Sequence, residues 1–375
     1  MINVVVMLFF NIMIGLILGL TPFYSKLDMP FGVTLPKDEA TKKIINHQKK
    51  SYLFLNVGMS VLLSVGILTF ALFQKEVELN QLIYFSTSAL FIQLILSLGV
   101  YITKYKQLRQ YKSNLDIKTT SNKKIVVDLS FRDQKLIFPT SYLVGLNMVF
   151  VLLTLIITIT YYNQIPDNFV TKWDMNMNPV IVTDKSWANV LAIPAIQLFM
   201  TVVMGIGNQA YLKGKQQIDT ENPEESIARN RKFRKQSSLL NLVISILTQI
   251  LFVFIQFSIV FQQITPQMMM ILTLIFTVTI LVIVLWFSLR YGQGGDRLKQ
   301  VNVKESEDIK HLETGIFDDD ANWKLGMFYF NKKDPSFWIE KRMGLGMTFN
   351  FAKWQSWAFM VGVILVPLLI GFLMS

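Results

Sequence analysis

The chain has 375 residues, of which 52% are hydrophobic and only 16% charged, and its mean hydropathy is +0.42; a soluble domain carries about 25% charged residues. Uncharged windows of about 20 residues account for the deficit, and each can cross a hydrocarbon core of about 30 Å. The net charge of +11 reads as orientation and attraction to anionic lipid, while zero cysteines exclude disulfides, thiol catalysis and cysteine-ligated metal, and two histidines leave little room for a histidine metal site.

Eight spans are expected, at roughly 2–22, 52–73, 81–103, 141–162, 187–211, 237–262, 268–290 and 354–374. The first lacks a basic leader and a small-residue cleavage site, so it reads as a span and not a signal peptide. The successive loops hold 6, 1, 9, 2, 7, 0 and 10 Lys plus Arg residues. Odd loops are basic and even loops are not, which puts the odd loops in the cytosol and both termini outside. The expected fold class is an all-α polytopic membrane protein with about eight transmembrane helices, N-out/C-out, carrying small β-hairpin elements in cytosolic loops. The expected divisions are 1–140, 141–211, 212–290, 291–353 and 354–375.

In loop one, FGVTL reads as extended, and Pro36-Lys37-Asp38-Glu39 opens an amphipathic interfacial helix that presents its lysines to phosphates. Loop three suggests two short strands, one through Ile125, Val126, Val127, Leu129 and Phe131 and one through Leu136, Ile137 and Phe138, around an Arg132–Lys135 turn. No span has a charge in its middle, which weighs against a proton-coupled transporter. Asn56, Gln93, Asn147, Asn189, Gln197, Asn208, Gln209, Gln249 and Gln256 read as helix–helix hydrogen-bonding groups, with a polar path along Gln197, Gln249 and Gln256 as the sharper alternative.

Loop four, the large outer loop, offers Pro166, Asp167, Trp173, Asp174, Asp184 and Lys185 as candidate ligand contacts, with Trp187 in the interfacial belt. Its three aspartates match no calcium loop and read as turn and cap residues. The basic half of loop five, ARNRKFRKQ, reads as a lipid-surface anchor. In loop seven the YGQGGDR stretch (Gly292, Gly294, Gly295, Arg297) lacks the strand–helix context of a phosphate loop, and glycine ending a helix is the plainer account. Leu325–Phe330 and Ser336–Ile339 are expected to pair as a hairpin about Asn331–Pro335, with Lys332, Lys333, Lys341 and Arg342 facing phosphates. Too short for its own core, this hairpin is expected to pack on neighbouring loops. Motifs for zinc proteases, serine hydrolases, P-loops and dinucleotide folds are absent, and the dispersed cations do not suggest nucleic-acid binding.

Two stretches carry a resemblance. IPDNFVTKWDMNMNPVIVTDKSW is similar in part to domain-of-unknown-function family 1648, with Pro166 and Lys185 fitting and the usual histidine replaced near Val170-Thr171. WKLGMFYFNKKDPSFWIEKRMGLGMTFNFA resembles family 5808 through Tyr329–Asn331, Asp334–Pro335, Glu340–Arg342 and Asn350–Ala352, with Trp323 at its start. GQGGDR and FGVTLP also look like elements of membrane proteins combining both families. Family 1648 also forms the N-terminal part of SdpI-type immunity proteins, which protect producers from a secreted peptide toxin.

The resemblance implies a non-enzymatic bacterial protein of the cell membrane, giving immunity to membrane-active peptides or sensing envelope stress. Expected partners are anionic headgroups at the cytosolic face, a peptide outside and a cytosolic regulator, with no nucleic acid and no cofactor. A transporter or permease subunit is the first alternative and a membrane enzyme the second.

Overall fold

The computed structural model describes residues 2–73, 79–115, 135–174, 177–215, 223–298 and 319–373. Nine helices are described: α1 (Ile2–Tyr24), α2 (Glu39–Phe73), α3 (Leu79–Ser113), α4 (Thr140–Thr160), α5 (Trp187–Val190), α6 (Ala192–Lys213), α7 (Pro223–Phe261), α8 (Pro266–Tyr291) and α9 (Trp354–Leu373). All but the four-residue α5 supply helices long and apolar enough to cross a membrane, eight in total. Three antiparallel hairpins complete the described structure: β1 (Asn168–Trp173) with β2 (Pro179–Asp184), β3 (Trp323–Lys324) with β4 (Phe328–Tyr329), and β5 (Trp338–Glu340) with β6 (Met347–Phe349).

Two three-helix groups form the body, α1–α2–α3 and α4–α6–α7. Helix α8 packs on α7 and α1, and α9 lies against α6. Both groups are pinned by polar side chains. Asn11 Nδ2 donates to Ser60 O and Ser64 Oγ, each at 2.8 Å. Gly15 allows that close approach, since a Cβ there would lie 2.5 Å from Ser60. In the second group Gln249 Nε2 donates to Gln197 O (3.1 Å) and Thr201 Oγ1 (3.0 Å), and Gln256 Nε2 to Thr158 Oγ1 (2.8 Å) and Val190 O (3.1 Å). These amides cross-link helices, at about 0.6 kcal/mol per interhelical bond.

Helices α2 and α7 run well past their apolar stretches. At 1.5 Å per residue the 35 residues of α2 reach about 52 Å. Asp38 starts α2 as expected, its carboxylate accepting from Thr41 N and Thr41 Oγ1, each at 2.8 Å. No separate interfacial helix forms, because no breaker falls between Glu39 and the span and the helix continues straight through. The same holds for ARNRKFRKQ, which belongs to α7. Its Asn230, Phe233 and Arg234 are buried against protein, while Lys232 and Lys235 on the same stretch stay exposed.

The first expected strand of loop three and most of its turn lie outside the described residues, and Leu136–Phe138 form no described strand. The loop-seven hairpin is corrected. Lys324 to Met327 is the turn, with Met327 N donating to Lys324 O (3.2 Å) and positive φ at Leu325 (52°) and Gly326 (68°), the signature of a type I′ turn. Asn331–Pro335 links two hairpins and does not join two paired strands. Apolar alternation from 325 to 330 conceals a turn because Leu325 adopts a conformation that leucine rarely takes.

A polar clasp at the basic-loop end as the candidate functional site

Side chains from loops one, three, five and seven meet at one end of the bundle. The approach begins with backbone. In FGVTLP, Phe31 (φ 51°) and Gly32 (φ 79°) turn the chain so that Gly32 lies directly on Gly326. A Cβ on Gly32 would sit 2.3 Å from Gly326 O, and one on Gly326 2.7 Å from Phe31 O. The Tyr101 hydroxyl from α3 bridges both segments, 3.0 Å from Phe31 O and 2.9 Å from Leu325 O. Positive φ at Phe31 and Leu325 costs about 1–3 kcal/mol each, and this clasp offsets it.

Around the clasp sit three buried charge centres. The first is Arg342, whose side chain is 0% exposed. It donates to Gly32 O (2.7 Å), Asp320 Oδ1 and Asp319 Oδ1, and its guanidinium lies 4.9 Å from the Trp323 ring centre. Asp320 is shared further: Lys112 Nζ from α3 donates to it at 2.5 Å and Thr34 Oγ1 at 2.8 Å. Burial pushes the Asp320 carboxyl up, but Arg342 and Lys112 outweigh it and hold its pKa below the ordinary value. The expected exposure of Arg342 to phosphates is therefore wrong. Two adjacent aspartates and a carbonyl take up both terminal nitrogens of the guanidinium with charge-assisted hydrogen bonds, in the place expected of phosphates. Lys341 is half-buried, and its pKa is lowered by burial; Lys332 and Lys333 are exposed.

Glu340 is the second centre, also buried. Its Oε1 accepts from Asn230 Nδ2 (2.6 Å) and Arg234 Nη2 (3.0 Å), both from α7. Arg234 donates as well to Tyr211 O (2.7 Å) and Gly214 O (2.9 Å), capping the carbonyl end of α6. On the other side, Glu340 Oε2 stands 3.8 Å from Lys26 Nζ, at the end of α1. One carboxylate thus ties α1, α6 and α7 to the module.

Asp334 is the third. Its Oδ2 accepts from Lys215 Nζ (2.6 Å) and Tyr329 Oη (2.7 Å), and its Oδ1 from Ser336 N (2.9 Å). Burial raises its pKa, yet those donors prevail and bring it down to about 2. Asn350 finishes the linker: Nδ2 donates to Asn331 O (2.8 Å), and Oδ1 accepts from Asn331 N (3.1 Å) and Ala352 N (3.2 Å).

The glycine stretch joins the same assembly. Gly292 (φ 63°) ends α8, its N–H donating to Ser288 O (2.9 Å). Gln293, fully buried, pairs with the Gly346 backbone as a strand would, donating to its O (3.0 Å) and accepting from its N (2.7 Å). A Cβ on Gly295 would lie 2.5 Å from Arg229 O. Exposed Arg297 donates to Leu289 O (2.9 Å) and caps α8.

Asp296 Oδ2 accepts from Leu27 N at 3.1 Å. Burial, with repulsion from Asp28 and Glu340, pushes its pKa up to about 6 against the pull of Lys26. A carboxyl whose folded pKa exceeds its ordinary value contributes stability below that ordinary value and loses it as pH rises through about 6. Asp296→Asn, which keeps an acceptor for Leu27, is expected to stabilise the protein above pH 6 by on the order of 1–2 kcal/mol and to be neutral below about pH 4. Apparent melting temperature against pH in one detergent checks this; equal shifts at both extremes would refute it.

The outer-loop candidates do not converge. Asp174 lies at the hairpin tip, accepting from Asn178 N (2.8 Å) and Asn178 Nδ2 (3.0 Å), whereas Asp167 and Asp184 stand at its base. Lys185 donates to Ile165 O (2.8 Å) and lies 4.7 Å from the Tyr162 ring centre, while Trp187 stacks on Tyr162 at 3.9 Å. Pro166, just before β1, and Trp173, at the end of β1, are both half-buried. No three His, Cys, Asp or Glu among the described residues are placed to hold a metal ion.

Several partners were not expected from sequence: Lys26, Gly32, Tyr101, Lys112, Lys215, Asn230, Arg234, Gln293, Asp319 and Asp320. The run of three consecutive aspartates, 318–320, in a basic loop was the available signal for Asp319 and Asp320. Residues 332–357 match the family model described as "Family of unknown function (DUF5808)". Comparison with curated proteins and with solved structures returned no significant match.

Proposed function

We propose that this chain is a non-enzymatic multi-pass membrane protein that senses, or gives immunity to, membrane-active peptides. In this reading the basic-loop end faces the cytosol and the β1–β2 hairpin faces outward. The observation that carries it is strand β2, whose Val180, Ile181 and Val182 are 52%, 43% and 57% exposed. Among the described residues β2 pairs on one edge alone. An exposed apolar edge strand is a template for an extended or β-forming peptide, through backbone hydrogen bonds and side-chain contacts. The resemblance of this loop to family 1648, and through it to SdpI-type immunity proteins, supports the same reading. The clasp at the other end ties the ends of α1, α3, α6, α7 and α8 together, so a shift begun outside could reach a cytosolic regulator through it.

The test is a strain lacking the gene, complemented with the natural chain or with Ile181→Asp. Loss of the gene is expected to raise sensitivity to at least one class of cationic membrane-active peptide, and Ile181→Asp to fail to restore resistance at equal membrane abundance. Unchanged sensitivity of the deletion strain across a broad panel would sink the reading.

A transporter is the second reading, favoured by a different observation. Gln93 and Asn147 are fully buried, and both polar ends of each lack a hydrogen-bond partner, as do the carbonyl oxygens of Gln197, Gln249 and Gln256. Such groups are costly in a bilayer unless a small polar species visits them. Solute flux into reconstituted vesicles, abolished by Gln93→Leu, would favour it.

A further inference from the structure

We propose that the recess between the end of α6 and strand β5 binds the phosphate headgroup of an anionic phospholipid, whose acyl chains lie along α6 and α9. The recess measures about 480 Å³ and is lined by Lys213, Pro335, Ser336, Phe337 and Trp338. That volume falls within the range of small-molecule sites, about 300–1,000 Å³. The proposal needs the helices to span a bilayer but not the peptide-sensing reading.

Charge supplies the first argument. Lys213 is the last residue of α6, is exposed, and has no side-chain partner among the described residues. Carbonyls at a helix end ordinarily attract a nearby lysine. Here Arg234 already satisfies Tyr211 O and Gly214 O, so the Lys213 charge is left for something else. The neighbouring cations are engaged, Lys215 with Asp334 and Lys353 with Pro335 O.

Depth supplies the second. Trp338 packs on Phe349 at 4.7 Å and Phe359 at 6.1 Å, and Phe359 belongs to α9. Trp354 and Trp357, at the start of α9, are 73% and 53% exposed. Exposed tryptophans at the end of an apolar helix mark the headgroup level. An ammonium above an aromatic wall at that depth matches a phosphate above its acyl chains. Free phosphate would leave the aromatic wall without a partner. Four of the five lining residues fall inside the 332–357 family match, which gives that segment a ligand-facing side as well as a buried one.

The experiment is native mass spectrometry of the intact purified protein, titrated with phosphatidylglycerol, phosphatidylcholine or inorganic phosphate. One phosphatidylglycerol is expected to be retained in preference to phosphatidylcholine. Lys213→Ala should weaken it about fivefold, the worth of one lysine at an anionic surface, and Lys213→Glu further. A Lys332→Ala/Lys333→Ala protein should bind as the natural chain does. Equal retention of both lipids, or weakening by the double variant but not by Lys213→Glu, would overturn the site in favour of diffuse surface attraction. Displacement by inorganic phosphate as readily as by lipid would make it a free-anion site instead. Photoactivatable phosphatidylglycerol on the unaltered chain makes the result independent of variant folding: label on the peptides of Lys213 or residues 335–338 supports the proposal, and label confined elsewhere refutes it.

Discussion

Arg342→Ala is expected to be among the most destabilising single substitutions in the chain, by about 3–5 kcal/mol. The guanidinium is fully buried and serves Asp319, Asp320 and the Gly32 carbonyl at once. Its removal strands two carboxylates, with Lys112 left as a neighbour to one of them. It also frees the Gly32 backbone, loosening the contact with Gly326 that holds two positive-φ segments in place. Arg342→Lys should recover less than half of the loss, since one ammonium cannot reproduce a planar fork across three acceptors. Loss of the folded, monodisperse species on heating in one detergent is the measurement. A lysine variant as stable as the natural chain would show that charge alone suffices.

Glu340 and Arg234 form the second large case. Glu340→Met and Arg234→Met are each expected to cost about 3–5 kcal/mol, because each strips a buried charge of its hydrogen-bonded ionic partner, leaving Glu340 in the second case with only the more distant Lys26 ammonium at 3.8 Å. The double variant should be less damaging than the two losses added together, by at least about 1 kcal/mol. It will not return to the natural stability, because Arg234 also caps Tyr211 O and Gly214 O at the end of α6. Glu340→Gln should be the mildest change, since its carbonyl still accepts from Asn230 and Arg234. Strict additivity in a double-mutant cycle would mean that the two side chains act independently, contrary to their 3.0 Å contact.

Span number was legible in sequence for a simple physical reason. A bilayer demands about 20 apolar residues whatever they pack against, and eight such stretches are visible in the chain as eight helices. The alternation of basic loops was equally local, and the contacts of Lys26, Lys112, Lys215 and Arg342 bring those loops together at one end. Helix boundaries on that side were less legible. Charged residues at 39–51 and 223–236 signal departure from lipid but say nothing of whether the helix stops there, and in α2 and α7 it continues.

The clasp lay beyond sequence reading for a different reason. Trp323, Tyr329, Asp334, Glu340, Arg342 and Asn350 could be singled out as a marker, yet their roles depend on partners that lie more than 100 positions away in several cases, such as Asn230 for Glu340 and Gly32 for Arg342. A basic residue near a membrane is ordinarily drawn to phosphate, so Arg342 and Arg234 read as surface cations. Only the tertiary structure decides otherwise, by placing Asp319, Asp320 and Glu340 where the low dielectric makes pairing with protein stronger than solvation. Lys213 shows the converse, without a side-chain partner among the described residues because Arg234 had already taken the carbonyls beside it. Residue by residue, the sequence determined which segments leave water for lipid, because that preference is a property of each segment alone. Which charges leave water for one another is a property of pairs, and the folded arrangement of distant loops decided it.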